Sequence, residues 1–446
     1  MREKIFFYAA ALFLASIPWQ TRFIFRQGEV GGYASEYSTL SLYAADIFAI
    51  FWAAAFFYTY ARGCKKPKSK EEKTKNSWLG AALFFGGTLF SVFWATDRLL
   101  ALQHSYWVLL ALAAAWILGK TPCRKKLLFV FLGSLLLSAW LGIWQFVCQK
   151  TFANKWLGLA AHDPLLGGSS VVELFFADGS ITRFLRAYGS FDHPNIFGAY
   201  MAVGVLLSLF LWLESKGRKE KVFLGVSILS MTAGIFMSLS RSSWAGFSLG
   251  MLFFAAGKLD GKLSSKKDFF AAAGQISAPL ILALGMFTLL GVLYPAQVFT
   301  RSAATGRLEE KSLSERALYV AQGEELAAEN FPWGTGAGNY TTALQKKYPA
   351  FASWQIQPVH NVPILVWAEL GVPGLLLLIA LVLSLLKVAL PGKMPSLTLL
   401  AVLIPVFFLD HWLWSLHSGL ILLGLIGGLL PYNWKKVDLS VNARTC

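Results

Sequence analysis

Three residues in the sequence combine types that could transfer a group from a phosphate-linked donor. Arg241 lies in the stretch SLSRSSWAG, Arg316 lies in SLSERALYV, and His360 precedes Asn361 and a long apolar run. Arginine offers a planar fork of N–H donors that fits phosphate oxygens, and it stays charged at physiological pH. Histidine, with its usual pKa of about 6.5, can accept the proton of a hydroxyl group at neutral pH. Together they predict a phosphate-binding site with a general base.

Each of these residues also has a simpler interpretation. Arg241 could extend its charge to a membrane boundary, Arg316 could be a solvated charge on a helix, and His360 could be a lone polar cap. His193, in the stretch FDHPN, is either a polar residue near a helix cap or a substrate contact. Only the arrangement of these side chains in space separates the alternatives.

The composition places these residues in a membrane protein. Of the 446 residues, 56% are hydrophobic and 14% are charged. Apolar runs of roughly 20 residues, enough to cross a bilayer, recur along the chain. Backbone polar groups must be paired in hydrocarbon, so spans this long and apolar are helices. The sequence therefore predicts an all-α polytopic membrane protein, a single integral domain over 1–446. The predicted spans are 5–22, 42–60, 78–95, 104–119, 127–147, 195–213, 222–240, 244–257, 269–294, 361–388, 397–413 and 415–431.

The basic residues set the predicted orientation. Seven lysines or arginines fall in 62–75 alone, and segments rich in these residues stay on the cytoplasmic side. Twelve spans with both termini inside fit this alternation, and the first span is predicted to be an uncleaved helix rather than a secretory signal. The net charge of +16 mainly reflects this topology, so a nucleic-acid partner is not expected.

Two long loops on the predicted outer side, 149–194 and 295–360, are where function is expected. The first has β-rich runs around Asp178 and Gly179, which predict a hairpin. In the second, Ser312 and Glu315 have the spacing of a capping box at the start of a helix. Leu313, Ala317 and Val320 would then share the apolar face of that amphipathic helix, which carries Arg316. The alternate glycines in PWGTGAGNY predict a tight turn that lets a ligand or another backbone approach closely.

Ionisable residues near membrane depth are costly, which makes them candidates for function. Asp46, Asp410 and His411 are expected to pair with arginines inside the helix bundle rather than to react. Nucleotide sugars are absent outside the cell, so the arginines and His360 fit transfer of a sugar from a lipid pyrophosphate. The sequence has no acid cluster that suggests a divalent ion and no glycosidase-like carboxylate pair near these residues. No metal and no cofactor are expected.

The stretches RAYGSFDHPNIFGAY, SLSRSSWAG, PWGTGAGNY and HNVPILVWAELGVPG resemble, in order and spacing, the bacterial O-antigen ligase family. That family shares a superfamily with O-antigen polymerases and protein O-oligosaccharyltransferases. The resemblance implies a GT-C-like, metal-independent, inverting glycosyltransferase in the bacterial cytoplasmic membrane, with its active site facing the periplasm. It would move a glycan from undecaprenyl pyrophosphate to a hydroxyl acceptor, either a lipid A core sugar or another glycan.

The resemblance also implies roles for particular residues. His360 matches the family's proposed base, and Arg241 and Arg316 match its phosphate-binding arginines. Arg186 matches a position that is often basic. Substrate-binding, structural or orienting roles fall to the remaining candidates, His193, Asn195, Asn339 and Asn361.

Three rival functions remain open, namely a polymerase, a transporter and a scaffold. A polysaccharide polymerase would use similar arginines on the same kind of donor. A polysaccharide or lipid transporter without catalysis would be expected to have two similar halves and charges on broken helices, and the sequence has no internal repeat. A scaffold protein would leave the paired arginines and His360 unexplained.

Overall fold

The computed structural model describes residues 2–60, 77–121, 123–175, 178–259, 266–303, 307–392 and 394–431. Helices dominate this part of the chain, so the predicted all-α membrane class is confirmed. The helices are α1 (Arg2–Ser16), α2 (Ala44–Tyr60), α3 (Ser77–Phe90), α4 (Arg98–Lys120), α5 (Arg124–Cys148), α6 (Pro194–Glu214), α7 (Arg218–Met237), α8 (Arg241–Leu259), α9 (Lys266–Leu293), α10 (Pro295–Ala303), α11 (Arg307–Glu329), α12 (Tyr340–Lys347), α13 (Val362–Gly392), α14 (Met394–Ala401), α15 (Ile404–Leu409), α16 (Trp412–Ser415) and α17 (His417–Leu429).

Within the described residues, six helices are long and apolar enough to cross a membrane, namely α4, α5, α6, α7, α9 and α13. Shorter apolar helices lie at α2, at α3, across α14 and α15, and at α17. Every predicted span overlaps at least one helix. The number of about twelve transmembrane helices and the GT-C-like arrangement stay predictions.

Helix α6 is the centre of the bundle. In its most apolar window 89% of residues are buried, against 22% in α9 and 17% in α13. It packs against α5, α7 and α8 and is apolar on all sides, which is typical of a helix enclosed by others. The outer faces of α9 and α13 expose Ile281, Val292 and Leu376, an apolar surface that a bilayer would cover.

Short antiparallel strands cover part of the chain between helices. They are β1 (Arg22–Arg26), β2 (Glu29–Val30), β3 (Tyr33–Ala34), β4 (Leu40–Tyr43), β5 (Val171–Phe175) and β6 (Ile181–Leu185). β5 pairs with β6, which confirms the hairpin predicted around Asp178 and Gly179. β1 pairs with β4 and β2 with β3. These last sheets are not predicted from the sequence because strands of two to five residues leave too short a pattern.

The predicted eleventh span is broken rather than continuous. α14 ends at Ala401, α15 ends at Leu409, and Asp410 has extended backbone angles, φ −148° and ψ 169°. Pro405 lies in the first turn of α15 and lacks the N–H that would continue the helix from α14. The break puts Asp410 on extended backbone and His411 at the N-terminal cap of α16, both beside His360.

The amphipathic helix of the second loop is present, but its predicted start is wrong and its predicted apolar face is correct only at Val320. The described part of α11 begins at Arg307, so Ser312 lies inside the helix rather than at its cap. Glu309 and Glu310 favour this earlier first turn because acidic side chains stabilise helix N-termini. Leu313 and Ala317 are exposed, whereas Val320 is partly buried against the core. The buried face instead carries Tyr319, Gln322, Gly323 and Leu326, and α11 packs against α13.

The predicted glycine turn serves backbone packing. Gly334, Gly336 and Gly338 have φ values of 74°, 97° and 68°, which suit glycine. A Cβ atom at Gly334 would lie 2.6 Å from the backbone of Glu369, and one at Gly336 would lie 2.5 Å from the Ala95 side chain. One of the two predicted uses of this turn, close approach of another backbone, is therefore present at Gly334.

Candidate active site

His360 lies in the short segment that leads into α13, and its neighbours are two aromatic rings and two charged side chains. Its ring stacks on Tyr319 at 5.9 Å between centroids and meets the His411 ring edge to face at 4.8 Å. Burial lowers its pKa, Asp410 acts in the opposite direction, and Arg316 lowers it further. The imidazole is therefore neutral at neutral pH and can accept a proton.

Asn361 holds this segment in place. Its Oδ1 accepts a hydrogen bond from the backbone N–H of Ile364 at 3.1 Å, which caps α13, and its Nδ2 donates to the carbonyl oxygen of Phe408 at 3.3 Å. Phe408 belongs to α15, two residues before Asp410. Asn361 therefore joins the helix that follows His360 to the broken segment that carries Asp410 and His411.

A buried chain of hydrogen bonds connects Asp410 to Arg186. Asn195 Nδ2 donates to Asp410 Oδ2 at 2.7 Å, and Asn195 Oδ1 accepts from Arg186 Nη2 at 2.6 Å. Arg186 Nε also donates to the carbonyl of Ser238 at 2.8 Å. Burial lowers the pKa of Arg186 to about 9, with a contribution from nearby Arg301. Arg186 thus remains charged at neutral pH, and Asn195 orients both it and Asp410.

His193 caps α6, as the simpler interpretation predicted. Its Nδ1 accepts the backbone N–H of Asn195 at 3.2 Å, and its Nε2 lies 3.1 Å from Ser170 Oγ. Burial, followed by the charge of Arg186, lowers its pKa to about 3. It is neutral, and a contact between His193 and substrate stays a prediction.

Arg241 begins α8, and its guanidinium faces the second loop. Arg241 Nη1 lies 3.3 Å from Glu309 Oε2, and Arg301 Nη1 lies 2.5 Å from Glu309 Oε1. Ser240 caps the helix, since its Oγ accepts from the backbone N–H of Ser243 at 3.3 Å. The arginine charge therefore coincides with the positive end of a helix, which favours anions.

Arg316 joins the same group from α11. Burial lowers its pKa, Asp410 and Glu309 act to raise it, and Arg241 lowers it further. These mutual effects show that the charges lie within electrostatic reach of one another. The structure thus brings together Arg241, Arg316 and His360, as the sequence analysis required.

Sequence reasoning missed Arg301 and Glu309 and interpreted Asp410 as a structural residue. Arg301 lies on the short helix α10, where only its burial distinguishes it from an ordinary surface charge. The full group holds four arginines (Arg186, Arg241, Arg301 and Arg316) and two carboxylates (Glu309 and Asp410). With all six ionised, the balance is 4 − 2 = +2, which suits an anionic ligand.

One cluster in this group has the residue types of a metal site. Ligand atoms of His360, Asp410 and His411 all lie within 4.8 Å of one another, and two imidazoles with a carboxylate would suit zinc. His411 Nδ1 is already 2.7 Å from Ser415 Oγ, and both carboxylate oxygens of Asp410 accept hydrogen bonds. The same residues could instead act as a base and its partners. The two roles exclude each other, because an imidazole nitrogen bound to a metal cannot accept a proton.

Asn339 is not joined to this group by hydrogen bonds. It is fully buried, and its side chain bonds the backbone of Asp97 and Ala337, accepting from Asp97 N–H at 2.6 Å. These contacts tie the glycine turn to the start of α4. Glu369 anchors the other side of the turn by accepting from the N–H groups of Gly338 and Tyr340. The structural role predicted for Asn339 accounts for these bonds, and substrate binding by it stays a prediction.

Residues 226–379 match the family model described as O-Antigen ligase. No curated protein matches the chain. The matched segment contains Arg241, Arg301, Glu309, Arg316 and His360. The buried partners Arg186, Asn195, Asp410 and His411 lie outside it.

Proposed function

We propose that this protein transfers a glycan from undecaprenyl pyrophosphate to a hydroxyl acceptor, because residues 226–379 match the O-antigen ligase family model. The match supports a membrane glycosyltransferase of the ligase or polymerase type. The donor, the acceptor and the position on the outer side of the cytoplasmic membrane are our proposal.

The convergence of Arg241, Arg316 and His360 carries this proposal. Arg241 and Arg316 are 75 positions apart in the sequence, and His360 lies 44 positions beyond Arg316. All three nevertheless share electrostatic contact with Glu309 or Asp410. A lipid pyrophosphate requires cationic groups at its leaving oxygen, and a hydroxyl acceptor requires a base. The cluster supplies both.

In the reaction, the acceptor hydroxyl oxygen attacks the anomeric carbon of the donor sugar. The bond from that carbon to the pyrophosphate oxygen breaks, and its electron pair leaves with the pyrophosphate. Arg241 and Arg316 stabilise the charge that develops there. His360 accepts the proton that the hydroxyl loses. Attack from the face opposite the leaving group inverts the anomeric carbon.

Asp410 assists His360 without touching the reacting atoms. Its charge opposes the lowering of the His360 pKa by burial and by Arg316. The imidazole therefore keeps more basicity than burial alone would leave it. Asn195 and the backbone N–H of His411 hold the carboxylate in place. Asp410 is a positioning residue in this scheme.

The test is transfer in vitro from a purified undecaprenyl-pyrophosphate glycan to a panel of lipid A core sugars and other glycans. Wild type, His360→Ala and His162→Gln are compared, since His162 stacks on Tyr188 in the first long loop. Transfer that His360→Ala loses and His162→Gln keeps supports the proposal. Equal transfer by all three would refute His360 as the base.

The product separates the two functions that the family allows. A ligase attaches one glycan en bloc to each acceptor. A polymerase instead yields a ladder of lengths on the lipid carrier, and such a ladder without acceptor attachment would replace the ligase assignment. No reaction with any acceptor or carrier would favour the transporter.

A further inference from the structure

The carboxylate of a buried glutamate, Glu309, already contacts Arg241, which the proposed mechanism requires for pyrophosphate binding. The Glu309 side chain is 5% exposed and contacts two guanidinium groups, Arg301 at 2.5 Å and Arg241 at 3.3 Å. The closer contact is a charge-assisted hydrogen bond, whereas the longer one to Arg241 does not have hydrogen-bond geometry. Glu309 therefore holds Arg301 firmly and Arg241 only by charge.

The arginines keep unused donors beside this glutamate. Among the described residues, Arg241 Nη2 and Arg301 Nε are buried without a hydrogen-bond partner. Buried guanidinium N–H groups normally find acceptors, because leaving them unpaired is unfavourable. A carboxylate has two oxygens and one charge, whereas a pyrophosphate has more of both. Glu309 is therefore an incomplete partner for these arginines.

Glu309 and Arg316 lie on the same side of α11. They are seven residues apart, which is close to two helical turns and about 10 Å along the axis. Arg316 is in turn within electrostatic reach of Arg241 and Glu309. An anion that contacts both Arg241 and Arg316, as the donor does in the proposed function, would meet the carboxylate of Glu309 at the same place. Two anions cannot share that space without strong repulsion.

We infer that Arg301 is a third pyrophosphate-binding arginine and that Glu309 fills the position of a donor phosphoryl group until the donor displaces it. This inference rests on the proposed function, because it takes the donor to be a lipid pyrophosphate. Displacement exchanges one counter-ion for another and makes or breaks no covalent bond. Glu309 keeps the arginines neutralised and in position while the site is empty, and it weakens donor binding by competition.

The test measures binding of undecaprenyl pyrophosphate to the full-length protein in lipid nanodiscs. Glu309→Gln keeps the size of the side chain and removes its charge, so its dissociation constant should fall about tenfold, equivalent to about 1.4 kcal/mol. Arg301→Gln should raise the constant by about tenfold or more because it removes a charged donor. The product-inhibition constant for undecaprenyl pyrophosphate should follow the dissociation constant, with a fall in Glu309→Gln and a rise in Arg301→Gln.

Arg307→Gln is the matched control. Arg307 is six residues from Arg301, is 78% exposed and pairs with the buried Glu173. Its removal should leave the dissociation constant for undecaprenyl pyrophosphate within about twofold, since the exposed guanidinium of Arg307 is screened by water and pairs with Glu173 rather than with Glu309. Unchanged or weaker binding by Glu309→Gln would overturn the competitor role, and unchanged binding by Arg301→Gln would overturn the third arginine.

Glu309→Asp covers the case in which Glu309→Gln does not fold. The shorter side chain keeps the charge and cannot reach both arginines, so binding should tighten by a few fold; unchanged binding would count against the inference. Arg241→Gln and Arg316→Gln separate the two proposals. If Arg241→Gln and Arg316→Gln both bind undecaprenyl pyrophosphate as wild type does, the proposed donor site is refuted. If both lose binding while the Arg301 and Glu309 variants bind as wild type does, this inference alone is refuted.

Discussion

His360 and His411 meet edge to face, with ring centroids 4.8 Å apart and planes at 87°. They come from different parts of the chain, one from the segment before α13 and the other from the break after α15. Both lie beside the Asp410 carboxylate. His360 therefore cannot change its charge without affecting His411 and Asp410.

The arginine at the centre of α11 should be required for transfer. Arg316→Ala should lower the transfer rate by about 100-fold or more, because it removes a cation from the departing pyrophosphate in a buried site. Expression and thermal stability should stay close to wild type. Arg307→Ala, on the same helix but exposed, should keep its rate, and comparable losses in both variants would point to a structural defect of α11 instead.

The pH profile should report the charges around His360. Only neutral imidazole accepts a proton, so the rate should fall at acid pH, with a midpoint below about 6.5 because burial lowers the pKa. Asp410→Asn removes the charge that raises this pKa, so the midpoint should move to lower pH. Arg316→Gln removes a charge that lowers it, so the residual rate should have its midpoint at higher pH.

Rate measurements across pH 4 to about 8 would check this prediction. Asp178→Asn, in the exposed turn between β5 and β6, serves as a control with an unchanged midpoint. Shifts in the same direction for Asp410→Asn and Arg316→Gln would contradict the assignment of His360 as the titrating base.

Removal of metals should leave transfer intact. The imidazoles and carboxylate of His360, Asp410 and His411 could bind zinc, but a bound ion would occupy the nitrogen that accepts the proton. Protein dialysed against EDTA should therefore keep its rate. A rate that EDTA abolishes and added zinc restores would identify these residues as metal ligands, and the base would have to be sought elsewhere.

Two asparagines, the buried Asn339 and the partly buried Asn361, should behave differently. Asn339→Ala removes hydrogen bonds to Asp97 and Ala337, so the free energy of unfolding should fall by about 1–3 kcal/mol while the rate per folded molecule stays unchanged. Asn361→Ala should reduce both stability and rate, because Asn361 positions the backbone beside His360. Thermal unfolding and transfer assays on the same samples would check this contrast. A lower transfer rate in an Asn339→Ala variant of normal stability would instead support substrate binding by Asn339.

Much of the fold could be predicted because hydrophobic composition and span length are local properties of the chain. The apolar runs predict the helices, and each predicted span overlaps one. The turn at Asp178 and Gly179 predicts the β5–β6 hairpin for the same reason. Local pattern failed at α11, where a capping-box spacing occurs inside a longer helix, and at the eleventh span, where continuous apolar character conceals a break at Asp410.

The sequence by itself determined which residues had the chemistry, since Arg241, Arg316 and His360 stand out by type in an apolar chain. Only the tertiary structure decided which side chains join them. Asp410 and His411 enter through a broken helix, and Arg301 and Glu309 through the ion pairs that join α10, α11 and α8. Asn339 instead holds a turn. The physical reason is distance along the chain: Arg241 and His360 are 119 positions apart, and only packing of the helices between them sets where their charges meet.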